Sequence, residues 1–243
     1  MRTGLVLLHG FPLDATMWEP QKSALSEHLT LLAPNFPGHG EAPRAGDVTT
    51  MDAAADYAAQ QMRVSNLERA VICGLSMGGY AALAFWRRHR NMVAGLVLAN
   101  TRAGADDDAG KQRRRDLAQR LRAEGNGFLA ESPPPLFSEK ASPQLWDRAK
   151  ATIRAQPAEA LAADSLGMAD RPDSTPDLAG ITVPVLVITS SGDTLIPPDA
   201  TREMAGRISN AKFDVIPDAG HLSNLEAPAE FNRLLSEFMR QFE

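Results

Sequence analysis

The sequence predicts an α/β fold, a mostly parallel sheet of about six strands flanked by helices, with an inserted helical cap. Three observations predict it. Short apolar runs recur along the 243 residues, helix-like stretches alternate with them, and one long stretch between two such runs carries no strand signal.

The strand runs are Gly4–Leu8, Leu29–Ala33, Arg69–Gly74, Gly95–Ala99, Val183–Thr189 and Ala211–Ile216. Their near-continuous Val, Ile and Leu content suits strands buried on both faces, as in a parallel sheet between two helical layers. Helical patterns cover Ala15–His28, Met51–Val64, Met77–Arg88, Asp199–Ile208 and Ala227–Phe242. Thr49 and Asp52, three residues apart, resemble a capping box for the second of these.

From Thr101 to about Pro184 the rhythm stops. An acidic loop (Asp106, Asp107, Asp108) leads to a basic helical run, Lys111–Arg122, and then to Pro133, Pro134 and Pro135. Two helix-like pieces follow, Gln144–Ala155 and Ala158–Ala169. A structureless loop of that length does not suit a compact domain. The expected organisation is therefore a core of residues 1–104 and 172–243, with a helical cap over 105–171.

Composition narrows the function. A net charge of −5 lacks the basic footprint of nucleic-acid binding. No apolar run approaches a membrane span, and the first residues carry no signal-peptide pattern. The single cysteine, Cys73, suits a reducing compartment, so a cytoplasmic protein is expected. The five histidines show no paired ligand spacing, so no metal is expected.

The strongest motif is Gly74-Leu75-Ser76-Met77-Gly78, between an apolar strand and a helix. A sharp strand-to-helix turn needs small residues on either side, and it exposes the serine hydroxyl at the carboxyl edge of the sheet. Attack by Ser76 on a carbonyl would build negative charge on the oxygen. The N–H of Met77 is one expected donor to it, and the N–H of Phe11, after the first strand, is the other. Pro12 has no N–H to offer. Each such donor contributes about 2.7–4 kcal/mol in comparable hydrolases. His9, beside Gly10, is read as a prop for this loop.

A serine hydroxyl needs a base, and imidazole serves near neutral pH. His221 follows the last strand and so lies on the same edge as Ser76. His39, in Pro37-Gly38-His39-Gly40, is read as turn structure. Asp193, directly after the strand Val183–Thr189, is the acid expected to orient His221, giving the chain order Ser, Asp, His. Asp218 is a rival with awkward reach, and Asp106–Asp108 form a lesser alternative. Glu226 is read as a brace for the last helix.

Together, His9-Gly10-Phe11, Gly74-x-Ser76-x-Gly78, Gly192-Asp193 and Gly220-His221 resemble the α/β-hydrolase family over nearly the whole chain. Phe11 to Trp18, Pro37-Gly38-His39-Gly40 and Gly220 to Glu226 look most like its 3-oxoadipate enol-lactonase and carboxylesterase branch. The resemblance implies hydrolysis of a small ester or lactone through an acyl-enzyme, without a cofactor and beneath a helical cap. One departure from the family pattern is expected: the first strand read here lies almost at the start of the sequence, so the extra N-terminal strands usual in the family are expected to be absent, leaving about six.

Ser76 argues against dehalogenases and epoxide hydrolases of this fold, which use an aspartate there. Carbon–carbon hydrolases, thioesterases, perhydrolases, acyltransferases and ligand receptors of this fold stay open. The expected pocket lining is Phe11, Leu13, Met77, Trp146 and Leu222, suited to a small molecule. The basic cap run is read first as a solvated helix face, although one of its arginines could pair with a substrate carboxylate.

Overall fold

The alternation of side chains along each apolar strand divides the core into two layers. A computed structural model describes residues 3–27 and 29–242. In β1 (Gly4–Leu8), Val6 and Leu8 join one buried cluster while Leu5 and Leu7 join the other. The same period of two runs through β3 (Ala70–Leu75), β4 (Val93–Ala99) and β5 (Val185–Ser190). With β2 (Leu31–Leu32) and β6 (Ala211–Ile216) they form a six-stranded sheet in the order β2-β1-β3-β4-β5-β6. Every pairing is parallel.

One layer packs α2 (Met51–Val64), α3 (Met77–Arg88) and α8 (Pro198–Gly206) against the sheet. The other holds α1 (Glu19–Leu25), α10 (Pro228–Met239) and residues of the inserted helices. These inserted helices are α4 (Asp108–Glu124), α5 (Gly127–Glu131), α6 (Pro143–Ala155) and α7 (Ala158–Ala169), all between β4 and β5. A short α9 (Ser223–Glu226) precedes α10. No described helix is long and apolar enough to cross a membrane.

Several boundaries differ from expectation, each for a local reason. The strand expected over 29–33 pairs only through Leu31 and Leu32, at the half-buried edge of the sheet. The helix expected over 15–28 divides into a 3-10 turn, Ala15–Trp18, and α1; His28 lies outside the described residues. Asp14 caps the turn by accepting from the Thr16 N–H, and Pro20 falls in the first turn of α1. Thr50, not Thr49, caps α2, its hydroxyl accepting from the Ala53 N–H at 3.0 Å.

Candidate active site

Ser76 sits between β3 and α3 with φ 55° and ψ −117°, a left-handed backbone that costs about 1–3 kcal/mol in a residue other than glycine. The surroundings enforce it. The Ser76 N–H donates to the Ala99 carbonyl at 3.0 Å, and the Ser76 carbonyl accepts from the Gly79 N–H at 2.9 Å. The Thr101 hydroxyl donates to the same carbonyl at 2.9 Å. The helix can begin there because Gly78 has no side chain: a Cβ would run into the Leu8 carbonyl.

His221 and Asp193 meet across the ends of β5 and β6. The His221 Nδ1 lies 2.9 Å from the Asp193 Oδ2, with both residues buried. The other carboxylate oxygen accepts from the Leu195 and Ile196 N–H groups at 3.0 and 2.9 Å. With Nδ1 committed to Asp193, a proton taken from the substrate side arrives at Nε2. The rival Asp218 is exposed and pairs with Lys140 at 2.7 Å. Asp107 caps α4, accepting from the Gly110 N–H at 2.7 Å.

Glu226 braces the His221 loop rather than the last helix, α10, which has no side-chain cap. It accepts from the Gly220 N–H at 2.8 Å and from the Ser138 N–H at 3.0 Å. The Leu222 N–H donates to the Leu136 carbonyl at 2.8 Å. The loop carrying His221 is thereby fastened to the link between α5 and α6.

The loop after β1 comes to the same place. Phe11 lines one cavity with Ser76 and His221. Met77 is the first residue of α3, so its N–H has no carbonyl within the helix to bond. His9 supports the loop from behind: its buried Nε2 accepts from the Phe36 N–H at 2.9 Å. Burial, with the nearby His39 charge, pushes its pKa down to about 3. A base that weak is neutral near pH 7, which suits a prop for the loop rather than a general base.

His39 is more than a turn residue. Its Nδ1 lies 2.8 Å from the Gln156 Oε1 and its Nε2 lies 2.7 Å from the Asp164 Oδ2, all buried. The Gln156 amide nitrogen donates to Asp14 and to the Thr152 carbonyl, which fixes its oxygen toward His39. Nδ1 must then donate. Burial opposes charge on His39, but the hydrogen bond and charge of Asp164 outweigh it and raise its pKa. The pair joins the β2–α2 loop to α7.

The cavity holds about 630 Å³. Besides Phe11, Ser76 and His221 it is lined by Tyr80, Leu117, Leu129, Met168, Leu195 and Ile196. The expected lining residues Leu13, Met77, Trp146 and Leu222 are not among those that line it, and the Met77 side chain is core. Leu13 and Leu222 are fully buried in the apolar layer, and Trp146 packs edge-on against Phe137 with ring centroids 5.0 Å apart. An apolar residue near a motif is most simply core.

Charge also reaches the wall, through Arg102, Arg113, Arg114 and Asp106. Asp106 accepts from Arg102, Arg114 and Arg171, the last at 3.0 Å. Burial would raise its pKa, but Arg171 and Arg114 hold the carboxyl far below the usual range. The basic run is therefore only partly a solvated face. Among the described residues no group of three or more His, Cys, Asp or Glu is arranged to hold a metal.

Similar proteins are found over nearly the whole chain. The profile of the Alpha/beta hydrolase family matches residues 5–234. A 3-oxoadipate enol-lactonase of Acinetobacter baylyi is 28% identical, covering 98% of this chain and 89% of its own. A pimeloyl-acyl-carrier-protein methyl ester esterase of Aromatoleum aromaticum is 30% identical, covering 98% and 99%. Among solved structures, a malate-bound thermophilic esterase of Thermogutta terrifontis superposes with a TM-score of 0.94 at 39% identity, covering 100% of this chain and 92% of its own.

Proposed function

The chain belongs to the alpha/beta hydrolase family, and from that premise we propose that it hydrolyses a small carboxylic ester or lactone through an acyl-enzyme on Ser76. One observation carries the reading: Ser76 and His221 open onto the same cavity, and the far side of the His221 ring is bonded to Asp193.

The Ser76 hydroxyl attacks the carbonyl carbon while His221 takes its proton at Nε2. Asp193 holds the ring in the tautomer with Nδ1–H and stabilises the imidazolium. The Phe11 and Met77 N–H groups receive the charge on the carbonyl oxygen. His221 then returns the proton to the leaving alkoxide, and water repeats the sequence on the acyl-enzyme.

The cavity has room for a small ester or lactone. The arginines in its wall favour one bearing a carboxylate, and the malate in the Thermogutta esterase is an anion of that kind. The enol-lactonase and methyl ester esterase relatives support ester and lactone chemistry over carbon–carbon cleavage.

A fluorophosphonate probe should label the protein at Ser76, with a matching loss of turnover on a panel of short esters, long-chain esters and a carboxylate-bearing lactone. Labelling that survives in Ser76→Ala would overturn the assignment. Preference for long acyl chains would overturn the small-substrate reading.

A further inference from the structure

Asn100 stands one residue past β4, fully buried, with φ 45°. That left-handed backbone is one that asparagine tolerates better than most residues. Its side chain contacts three groups of the site. The amide nitrogen donates to the Asp193 Oδ2 at 3.0 Å and to the Ser190 Oγ at 2.7 Å. The amide oxygen accepts from the Ser223 hydroxyl at 2.6 Å.

This orientation is the only one the neighbours permit. Ser190 has one hydroxyl proton and gives it to the Gly220 carbonyl, so toward Asn100 it must accept. The amide nitrogen therefore faces Ser190 and Asp193, and the oxygen faces Ser223. The backbone is pinned as well, the Asn100 N–H donating to the Ile188 carbonyl at 2.8 Å.

The Asp193 Oδ2 is thus shared between Asn100 and the Nδ1 of His221, and that oxygen decides where the imidazole points. Asn100 also binds the residue before the Asp193 loop (Ser190) and one after His221 (Ser223). Its chain neighbour Ala99 receives the Ser76 N–H. The side chain thus ties the Asp193 and His221 segments together, and the backbone of the preceding residue holds the Ser76 segment.

We infer that Asn100 is a positioning residue for the hydrolytic reaction, setting the Asp193 carboxylate and through it the His221 ring; the inference rests on the proposed triad. It touches no substrate, so its removal lowers kcat and leaves KM nearly alone.

The test uses Asn100→Gly, which keeps the left-handed backbone accessible and deletes the side chain, together with the milder Ser223→Ala, which only unfastens the amide oxygen. Circular dichroism and the unfolding midpoint confirm that each variant is folded. In Asn100→Gly, kcat on a short ester and the rate of fluorophosphonate labelling should both fall by about tenfold or more, with KM within about twofold. Ser223→Ala should lose about fivefold, the contribution of one hydrogen bond.

The decisive measurement repeats Asn100→Gly in an Asp193→Asn background, where no carboxylate remains to be positioned. There the loss should nearly vanish. An equal loss in both backgrounds, or folded variants with wild-type kcat, would overturn the inference alone. Absence of labelling in the wild type, or labelling that survives Ser76→Ala, would overturn the proposed triad and this inference with it.

Discussion

His9 and His39 lie edge to face with ring centroids 5.1 Å apart, and their surroundings drive them to opposite protonation states. His9 accepts a hydrogen bond in an apolar setting and resists charging. His39 is flanked by two acceptors and holds its proton more tightly than free histidine does.

Folding stability should therefore peak near pH 6.5, the ordinary value for both groups. Below it the unfolded chain binds a proton at His9 that the folded protein refuses until about pH 3. That costs about 1.4 kcal/mol for each pH unit. Above pH 6.5 the stabilisation from protonated His39 is lost as pH rises through its raised folded value. Urea unfolding at a series of pH values checks this. His9→Gln should flatten the acid limb and Asp164→Asn the alkaline one.

Ser76→Ala should fold normally and lose at least about 10⁴-fold in kcat, leaving what the oxyanion donors and binding supply. Asp193→Asn should lose a similar factor because it favours the wrong tautomer of His221. Asp218→Asn, exposed and bonded to Lys140, should change turnover by less than about twofold. Steady-state kinetics on one short ester ranks the three. A large loss in the Asp218 variant would reverse the choice of acid.

Asp106→Asn should destabilise the fold by about 3 kcal/mol at neutral pH, since it leaves the buried Arg171 without its carboxylate. The folded pKa of Asp106 is lowered, so its contribution is present above the ordinary value of 3.8 and is lost as pH falls through the folded value. The two unfolding curves should converge in acid. A constant gap down to the lowest accessible pH would contradict the assignment.

Arg113→Gln should raise KM for a carboxylate-bearing lactone by about tenfold and leave a neutral ester of similar size unchanged. Arg113 is exposed on α4 and lines the cavity, so the fold should tolerate the change. Equal effects on both substrates would discard the carboxylate anchor.

Much of this arrangement was legible in the sequence because the reasons for it are local. Strands buried on both faces are runs of Val, Ile and Leu, and all six strands lie within two residues of their expected ends, although the edge strand β6 is only partly buried. Only β2, at the half-buried edge, is much shorter than its apolar run. The turn at Ser76 advertises itself through glycines that no other residue could replace. Asp193 and His221 each follow a strand closely enough to be assigned to one edge of the sheet.

The cavity wall was not legible, because Tyr80, Met168 and Leu195 meet there from distant segments and carry no local signal. Leu13, Met77 and Leu222, which lie beside the motifs, belong to the core instead. Asn100 did leave a trace: a polar residue directly after the seven-residue apolar strand Val93–Ala99. His39 showed only its turn, since its partners Gln156 and Asp164 lie more than a hundred residues on.

The fastening of Gly220–Leu222 to Leu136–Ser138 has a consequence for anyone redesigning this protein. Most of those bonds involve main-chain groups, and Gly220 is packed so closely on Phe137 that a Cβ would strike its backbone. Side chains on α4 to α7 can thus be exchanged to change what the cavity accepts, but the path of the chain through 136–138 cannot. A cap segment transplanted from a relative would keep the His221 loop in position only if it delivered its linker to that same line; otherwise the graft would shift His221 although every residue of the proposed triad was retained.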